Sequence, residues 1–310
     1  MCRVNGLKGR FNMLASTVRV AILGTGKIGI DLLFKIQRSE LLSCVLVAGR
    51  SAGSAGLEIA RQQGVPTSDE GINAILNNID GIDIVFDATS AFAHVRHWDA
   101  LKETRVKVID MTPSQLGKAI VPAVNLTEIG LVRHANMISC GGQSSIPIIN
   151  AVSEVVEDME YVEVVSSIAS KSAGAATRIN LDEYIHTTER GILSFSRARR
   201  GKVILILNPA EPPVSMQTTI SFQLENPHMK EIVHAVRARV ESVKRYVPGY
   251  DLIIEPKQIE SNRVVVMVKV VGMGDYLPKY AGNLDIINSA AIAVAEKMAT
   301  SILNVGANFQ

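Results

Sequence analysis

Cys140 is the residue whose type and setting best suit chemistry. It stands in the segment SCGGQSSIP, residues 139–147, whose small residues predict a loop ahead of a helix. Ser144 or Ser145 would cap that helix, and Pro147 would lie in its first turn. A thiol at a helix N-terminus has a lowered pKa because the helix dipole favours the thiolate, and the glycines leave room for a carbonyl substrate. A buried structural thiol is the alternative interpretation.

The other two cysteines have settings that predict no reactivity. Cys2 lies in a basic N-terminal stretch, and Cys44 lies inside an apolar strand, where a cysteine behaves as a small core hydrophobe. Three cysteines are too few, and odd in number, for a disulfide framework. We therefore expect a reducing compartment, with the cytoplasm as the default location.

A second chemical motif is the glycine-rich turn GTGKIG near the start of the chain. It follows the apolar strand that begins at Val18 and precedes an amphipathic helix predicted over 30–38. Glycines in such a turn let backbone N–H groups approach a pyrophosphate at the positive end of the helix dipole. The turn therefore predicts dinucleotide binding, against the alternative of an ordinary strand–helix turn. Its residues are Gly24, Thr25, Gly26, Lys27, Ile28 and Gly29.

The end of the second strand bears on which dinucleotide binds. The acidic residue that would hold a ribose 2′-hydroxyl is absent, and the strand ends in Gly49-Arg50-Ser51. Arg50 and Ser51 could accommodate a 2′-phosphate, which favours NADP or the use of both cofactors; alternatively, Arg50 stacks on the adenine. Asp87-Ala88-Thr89-Ser90 follows a later strand and is either a loop near the nicotinamide or a turn that closes the strand.

A dinucleotide site followed by a loop cysteine predicts covalent aldehyde oxidation. The thiolate adds to the carbonyl, the thiohemiacetal gives a hydride to the nicotinamide, and a thioester results. The tetrahedral oxyanion needs N–H donors, which the Cys140 backbone and its glycine neighbours could supply.

The chain is organised as two α/β units behind a leader. Short β-branched strands alternate with helices up to about residue 138, which predicts a parallel, Rossmann-type sheet. Longer strands and helices follow and predict an α+β unit with a largely antiparallel sheet. We expect a flexible leader at 1–17, a dinucleotide-binding domain at 18–138 and a catalytic and dimerisation domain at 139–283. A helix at 284–303 would pack back on the first domain.

Composition excludes several classes of protein. The 310 residues are 47% hydrophobic and 20% charged, with a formal net charge of +2, which predicts a folded, soluble protein. The scattered basic residues create no field for nucleic acid, and we expect no membrane span. The one basic cluster is Arg197–Arg200 with Lys202. We interpret it as a solvated helix end, with a phosphate site as the alternative.

The six histidines form no motif with metal-ligand spacing, so we predict no metal. His94 and His97 stand three residues apart on a predicted helix beside Trp98. We expect them on an exposed helical face rather than in catalysis.

Four longer motifs carry a resemblance to a family. SCGGQSSIP, SKSAGAATRINLDEY, NPAEPP and YLPKYAGNLDIINSAA resemble the acylating acetaldehyde dehydrogenases, over nearly the whole chain from Val18 to Leu303. These enzymes act beside 4-hydroxy-2-oxovalerate aldolases in aromatic catabolism. The resemblance implies that acetaldehyde, CoA and NAD give acetyl-CoA and NADH, on a glyceraldehyde-3-phosphate dehydrogenase-like architecture. It also implies an aldolase as partner, and we expect a homodimer.

The resemblance also assigns residues. Cys140 matches the acyl-thioester cysteine, Thr25 to Ile28 match the cofactor turn, and Asn283 matches an asparagine near the nicotinamide. The alternative for Asn283 is a plain helix N-cap. The resemblance also implies a further cofactor-binding stretch, for which a solvated loop is the alternative. That stretch comprises Lys171, Ser172, Ala173, Gly174, Ala175, Ala176, Thr177, Arg178 and Ile179.

Two departures from the family leave other functions open. The family has an acidic residue shortly after NPAEPP, but residues 214–220 contain no carboxylate, so Glu211 or the helix dipole would have to polarise the thiol. Residues 251–275 are shorter than their family counterpart, which bears on aldolase docking. The alternatives are a semialdehyde dehydrogenase that uses phosphate and a non-catalytic, nucleotide-binding partner of an aldolase.

Overall fold

A computed structural model of the chain describes residues 17–174, 178 and 181–307. Apart from Thr17, the predicted leader lies outside the described residues. The chain that follows forms two β-sheets. The strands of the first precede Cys140 in the sequence, and those of the second follow it.

The first sheet has seven parallel strands in the order β3-β2-β1-β4-β5-β7-β6. Its inner strands are apolar and β-branched, and Val20, Ile22 and Ile84 are fully buried, as both faces of a parallel sheet require. The strand order reverses between β1 and β4, where open α/β sheets bind ligands. The strands are β1 (Val18–Leu23), β2 (Leu42–Ala48), β3 (Thr67–Ser68), β4 (Ile84–Asp87), β5 (Lys107–Asp110), β6 (Lys118–Ala119) and β7 (His134–Asn136).

Helices cover this sheet and connect its strands. The helix after the glycine turn begins at Lys27, three residues earlier than the sequence predicts, because Gly26 already adopts the N-cap position. The helices are α1 (Lys27–Ile36), α2 (Ala55–Gln62), α3 (Ile72–Asn77), α4 (Ala91–Leu101) and the short α5 (Pro122–Asn125), with 3-10 turns at Ile79–Gly81 and Leu126–Leu131.

The C-terminal helix α9 (Gly282–Ala307) packs against α1, as expected. By length and composition its residues Gly282–Asn304, with mean hydropathy 1.3, could cross a membrane, which the sequence analysis did not anticipate. However, Ile287, Ala290, Val294 and Met298 are buried in the core of the first sheet. We therefore interpret α9 as a core helix that packs on the first sheet.

A buried lysine ties α1 to the chain around α9. Lys35 Nζ lies 2.7 Å from Asp285 Oδ1, 2.8 Å from Asp275 Oδ2 and 3.6 Å from Asp31 Oδ2. Because the lysine side chain is only 2% exposed, these carboxylates must compensate its charge. The network fixes the helix that begins at the glycine turn.

The second sheet has the order β11-β12-β10-β8-β9 and is antiparallel except for the β8–β9 pair. Alternate residues such as Ile220, Phe222 and Val266 are buried beneath helices on one face. The elements are α6 (Cys140–Val155), β8 (Met159–Ala169), α7 (Leu181–Ser194), β9 (Ala198–Asn208), β10 (Met216–Leu224), α8 (Met229–Lys244), β11 (Tyr250–Glu260) and β12 (Arg263–Val270).

The basic cluster is not a helix end. The helix α7 ends at Ser194, and Arg199 and Arg200 lie in strand β9. Their guanidinium groups pair with Asp158 and Glu160 on the exposed surface. Because carboxylates already pair with these two arginines, the structure does not support the alternative of a phosphate site.

Candidate active site

A cavity of about 90 Å³ opens between the two sheets, with the Cys140 thiol in its wall. Three of the six buried polar side-chain atoms that lack a hydrogen-bond partner among the described residues belong to its lining: Thr112 Oγ1, Tyr184 Oη and Asn283 Oδ1. Unpartnered buried polar atoms are rare, and their convergence indicates a ligand site. The lining residues are Ile28, Thr89, Ser90, Met111, Thr112, Pro113, Ile138, Ser139, Cys140, Tyr184, Asn283, Leu284 and Ile287.

Cys140 is the first residue of α6, so the helix begins earlier than the sequence predicts. Ser139 is the N-cap, and its Oγ accepts a hydrogen bond from the Gly142 N–H at 2.8 Å. Prediction of Ser144 or Ser145 as the cap was wrong, because Pro147 lies inside the helix rather than in its first turn. The cysteine is thus closer to the helix N-terminus than expected.

The backbone just before the nucleophile candidate is strained. Ile138 has φ of +63°, a left-handed conformation that a β-branched residue rarely adopts. Its N–H donates to Asn136 Oδ1 at 2.8 Å. This hydrogen bond holds the turn that directs Cys140 into the cavity.

The environment of the thiol differs from the sequence-based expectation. Burial raises the pKa of Cys140 to about 11, although the neighbouring Tyr184 hydroxyl and the backbone N–H groups of Gly141 and Cys140 favour the thiolate. The expected low pKa is therefore wrong, since the loss of hydration outweighs these donors. Burial likewise raises the pKa of Cys44 to about 12, in agreement with a core role.

Glu211 does not replace the missing carboxylate. Its side chain is 60% exposed, pairs with Lys171 at 2.5 Å and is absent from the cavity lining. Within residues 214–220 the buried polar side chain is Thr218, whose hydroxyl lies 3.0 Å from Ser144 Oγ and 3.2 Å from Ser166 Oγ.

The glycine turn has the space that a dinucleotide requires. Gly24 has φ of +116°, and a Cβ there would lie 2.6 Å from the Ala88 carbonyl oxygen, so only glycine fits. A Cβ on Gly29 would collide with the Gly24 carbonyl, whereas a Cβ on Gly26 would meet no atom within 4 Å. The second glycine therefore faces open space at the start of α1, which fits a pyrophosphate.

Three further side chains lie around this turn. Thr25 Oγ1 lies 2.8 Å from Ser54 Oγ, which joins the turn to the start of α2. Arg50 and Ser51 are exposed just beyond the carboxyl end of β2. Both side chains are thus available at the edge where the adenosine ribose of a dinucleotide would lie.

The chain at Lys171 reaches the glycine turn from the second sheet. Lys27 Nζ donates to the Lys171 carbonyl oxygen at 3.1 Å. Ser172 and Ala173 are buried, Gly174 is half-buried, and Arg178 is exposed and bonds Ser170. The other residues predicted in this stretch, Ala175, Ala176, Thr177 and Ile179, lie outside the described residues.

Asn283 is buried at the cavity wall rather than at a helix cap. The helix α9 begins at Gly282, so Asn283 lies within its first turn, and the alternative of a plain N-cap was wrong. The side chain is 1% exposed, and its Oδ1 has no partner among the described residues. An unpartnered acceptor in this position fits a carboxamide N–H donor such as that of nicotinamide.

The prediction that residues 87–90 form a turn that closes the strand is confirmed. Asp87 Oδ1 accepts from the Thr89 N–H at 3.1 Å and from the Thr89 hydroxyl at 2.5 Å, which closes the turn after β4. Thr89 and Ser90 also line the cavity. The turn therefore shapes the site that it borders.

His94 lies in a buried polar network, so its predicted exposure was wrong. Its Nδ1 lies 2.8 Å from Asp87 Oδ2, and its Nε2 lies 2.9 Å from His134 Nε2 and 3.3 Å from Asp110 Oδ2. His97 Nδ1 also bonds Asp87, at 2.7 Å. Spacing on α4 could not reveal this, because the partners come from β4, β5 and β7.

The ligand atoms of His94, Asp110 and His134 lie within 4.8 Å of one another. The sequence analysis predicted no metal because the spacing of the histidines along the chain did not indicate that these three side chains come together. His94 Nε2 bonds His134 and lies against Asp110, and Asp110 also accepts from Asn136 at 2.7 Å and from Ser114 at 2.5 Å. The three side chains therefore belong to one hydrogen-bonded network.

Charge in this network is shared between the imidazoles and the carboxylates. Burial alone would lower the pKa of His94, but the hydrogen bond to Asp87 and the charges of Asp110 and Asp87 raise it overall. Burial, together with the charge of His94, lowers the pKa of His134 to about 4. Burial raises the pKa of Asp110 to about 6 despite His94. We infer that His94 carries the shared proton.

The variant His94→Gln is expected to lower the free energy of unfolding by about 3–5 kcal/mol, because a buried charged partner is lost. The pKa of His94 is raised on folding, so its contribution is fully present below the unfolded value of about 6.5 and is lost as the pH rises through the folded value. Urea unfolding should therefore show a larger difference from the wild type at pH 6 than at pH 9. A difference independent of pH, or an equal effect in the exposed control His186→Gln, would contradict this account.

Comparison with known proteins decides the family. Residues 140–278 match the sequence model described as prokaryotic acetaldehyde dehydrogenase, dimerisation, and residues 19–129 match semialdehyde dehydrogenase, NAD binding domain. An acetaldehyde dehydrogenase of Pectobacterium atrosepticum is 56% identical over 289 residues, which cover 93% of this chain and 97% of the relative. The chain belongs to the acetaldehyde dehydrogenase family. A second acetaldehyde dehydrogenase, from Spirochaeta aurantia, is 50% identical over 94% of this chain and 98% of its own.

Membership in the acetaldehyde dehydrogenase family agrees with the architecture. The aspartate semialdehyde dehydrogenase of Candida albicans, solved with NADP, has a TM-score of 0.64 at 12% identity and covers 93% of this chain and 100% of its own. That likeness shows the fold, a Rossmann-type domain joined to a mixed-sheet domain. The chain is accordingly an aldehyde dehydrogenase with a nucleotide-binding domain and a dimerisation domain of this family.

Proposed function

We propose that this acetaldehyde dehydrogenase is CoA-acylating: it converts acetaldehyde or another short aldehyde, with CoA and NAD, to the acyl-CoA and NADH. The observation that carries the proposal is the shared cavity. Cys140 and the unpartnered oxygen of Asn283 line one space of about 90 Å³, and Ile28 of α1 borders it. The nucleophile and a donor–acceptor group for the cofactor therefore face the same space, as transfer of a hydride from a Cys140-bound aldehyde requires.

Cys140 is the proposed nucleophile. Its thiolate adds to the carbonyl carbon, so an S–C bond forms and the π electrons move to the oxygen. Bound NAD supplies the acceptor for the hydride that leaves this carbon. The thiol of CoA then attacks the Cys140 thioester, takes the acyl group and releases Cys140 as thiolate, with one proton released per turnover.

The first turn of α6 supplies donors for the oxyanion. The N–H of Gly142 bonds Ser139 Oγ and that of Gln143 bonds the Ser139 carbonyl, which leaves the N–H groups of Cys140 and Gly141 at the helix end facing the thiol. Such donors stabilise negative charge as it develops on the aldehyde oxygen.

The proposed cofactor site consists of the residues that the sequence analysis predicted to bind the cofactor. The glycine turn would hold the pyrophosphate, Arg50 and Ser51 the adenosine ribose, and Asn283 the carboxamide. Lys171 and Arg178 would border the turn from the second sheet. The full proposed set is Gly24, Thr25, Gly26, Lys27, Ile28, Gly29, Arg50, Ser51, Asn283 and the stretch Lys171–Ile179.

Arg50 is expected to decide how well NADP replaces NAD. If its guanidinium holds the 2′-phosphate, Arg50→Ala should lower kcat/KM for NADP by about 10-fold or more, because a charge-assisted hydrogen bond is lost. The value for NAD should change by less than about 2-fold, as should both values in the exposed control Arg199→Ala. Equal losses with the two cofactors would instead indicate that Arg50 stacks on the adenine.

Absorbance at 340 nm tests the reaction. The purified chain, acetaldehyde and NAD are expected to form NADH continuously only when CoA is added, because without CoA the reaction stops after one NADH for each Cys140 that is acylated. An increase in absorbance at 340 nm with inorganic phosphate in place of CoA would favour the semialdehyde dehydrogenase type of reaction. Nucleotide binding without turnover in either case would favour a non-catalytic partner of an aldolase.

We also propose a homodimer that forms through the open face of the second sheet. Helices cover one face, while Ile204, Ile206, Ile253 and Ile254 are each at least 40% exposed on strands β9 and β11. An apolar sheet face of this kind favours association, and the family model that matches this region is described as dimerisation. A cytoplasmic location and an aldolase partner remain expectations from the sequence.

A further inference from the structure

The Cys140 thiol needs a partner that the family resemblance does not supply. No charged side chain lines the described part of the cavity, residues 214–220 contain no carboxylate, and Glu211 pairs with Lys171 at the surface. A buried thiol without a charged neighbour is a poor nucleophile, because burial disfavours the thiolate. The described groups that face the thiol are therefore neutral donors.

Tyr184 brings a buried hydroxyl donor to the first turn of α6, next to Cys140. The residue is 6% exposed, belongs to α7 and lines the cavity. A Cβ on Gly141 would collide with its hydroxyl, so the oxygen packs directly on the first turn of α6. This hydroxyl has no hydrogen bond of ordinary geometry among the described residues, and its proton is free to be donated within the site.

A row of hydroxyl groups stands behind Tyr184. A Cβ on Gly141 that would collide with the Tyr184 hydroxyl would also lie 3.7 Å from Ser166 Oγ, and Ser166 Oγ lies 3.2 Å from Thr218 Oγ1. Ser144 uses its own proton to bond the Gly141 carbonyl at 3.0 Å. In one consistent arrangement Thr218 donates to Ser166, which leaves the Ser166 proton free to point towards the Tyr184 oxygen and so favours donation by Tyr184 towards Cys140.

We propose that the Tyr184 hydroxyl stabilises the Cys140 thiolate by donating a hydrogen bond to it, because residues 214–220 supply no carboxylate. No covalent bond is broken, since Tyr184 keeps its proton throughout. Thr218, which stands within that segment, supports the donor through Ser166. The inference rests on the proposed role of Cys140 as nucleophile.

The rate of Cys140 alkylation by iodoacetamide across pH tests this role without requiring turnover. A hydrogen bond to a charged group is worth about 1.5–3 kcal/mol, or about one to two units of pKa. Tyr184→Phe is therefore expected to raise the apparent pKa of alkylation by about one to two units and to slow the reaction at pH 7.5 by about 10- to 100-fold. Peptide mass spectrometry assigns the label to Cys140 rather than Cys2 or Cys44.

The matched control is Tyr276→Phe, because Tyr276 is 38% exposed and stacks on Phe34 away from the cavity lining. Its pH profile should match that of the wild type. An unchanged profile in Tyr184→Phe, with NADH formation intact, would overturn the role of Tyr184 and leave the proposed function standing. A wild-type Cys140 that resists alkylation at every pH, together with absent NADH formation, would overturn both.

Thr218→Val tests the row of hydroxyl groups with an isosteric change. Loss of this more distant hydroxyl is expected to raise the apparent pKa by less than the loss of Tyr184 does. In the Tyr184→Phe background the same change should have no further effect, because Thr218 acts through Tyr184. An equal shift in both backgrounds would overturn this part of the proposal.

Discussion

Cys140→Ala is expected to lower the CoA-dependent formation of NADH by about 10,000-fold or more, because removal of a covalent nucleophile abolishes the pathway that depends on it. The substitution removes one sulfur atom from the cavity wall and leaves the Ser139 cap and the start of α6 unchanged. The dissociation constant for NADH should therefore remain within about 3-fold of the wild-type value. Stopped assays of acyl-CoA together with fluorescence titration of NADH check both expectations.

The control for this prediction is Cys44→Ala, since Cys44 lies in β2 outside the cavity lining. Its turnover should match that of the wild type after correction for any loss of stability. Residual acyl-CoA formation in Cys140→Ala at more than a few per cent of the wild-type rate would exclude the thioester mechanism. A simultaneous loss of NADH binding would instead indicate that the cavity had collapsed.

Gly26→Ala is expected to weaken NADH binding by about 100-fold without lowering the melting temperature. Gly26 has φ of −75° and ψ of −175°, which alanine adopts without strain. A Cβ at this position meets no atom within 4 Å in the protein, but it points into the space where a pyrophosphate would approach the backbone. Isothermal titration and thermal unfolding separate the two effects.

Gly53→Ala is the matched control, because its Cβ also meets no protein atom but the residue is exposed in the loop before α2. Neither NADH binding nor stability should change in this variant. NADH binding that survives Gly26→Ala would show that the pyrophosphate does not lie over the glycine turn. A large fall in melting temperature would show that the open space at Gly26 serves folding instead.

The parts of the fold that could be predicted are those with regular patterns. The apolar strands of the first sheet and the alternating strand β10 follow directly from their β-branched runs. The strand β11 (Tyr250–Glu260) was not predicted, because it is a largely exposed edge strand with Pro256 and several charged residues. Its pairing with β12 is a tertiary contact that composition does not encode.

The start of α6 shows how a local rule can mislead. Pro147 predicts a first helical turn, and the serines before it resemble caps, yet the helix begins seven residues before the proline. Ser144 and Ser145 instead donate their hydroxyls to the Gly141 carbonyl. This helix therefore accommodates proline and serines in its interior, and the consequence is that Cys140 lies at its first position.

Residues of the candidate site that belong to local sequence motifs could be predicted. Residues whose contacts come from distant parts of the chain could not. Cys140, Asn283 and the glycine turn were identified from motifs, and each lies at or beside the cavity. Tyr184 was missed although it ends the motif SKSAGAATRINLDEY, because nothing in that motif indicates which residues face Cys140. The burial of His94 was equally hidden, since its partners Asp110 and His134 are distant in sequence.

The most direct test of the account is the mass of the Cys140 peptide after the chain is incubated with acetaldehyde and NAD in the absence of CoA. The account predicts an acetyl group on Cys140 that disappears when CoA is added, with acetyl-CoA formed in equal amount. A Cys140 peptide that remains unmodified while NADH accumulates would contradict the covalent mechanism at its centre.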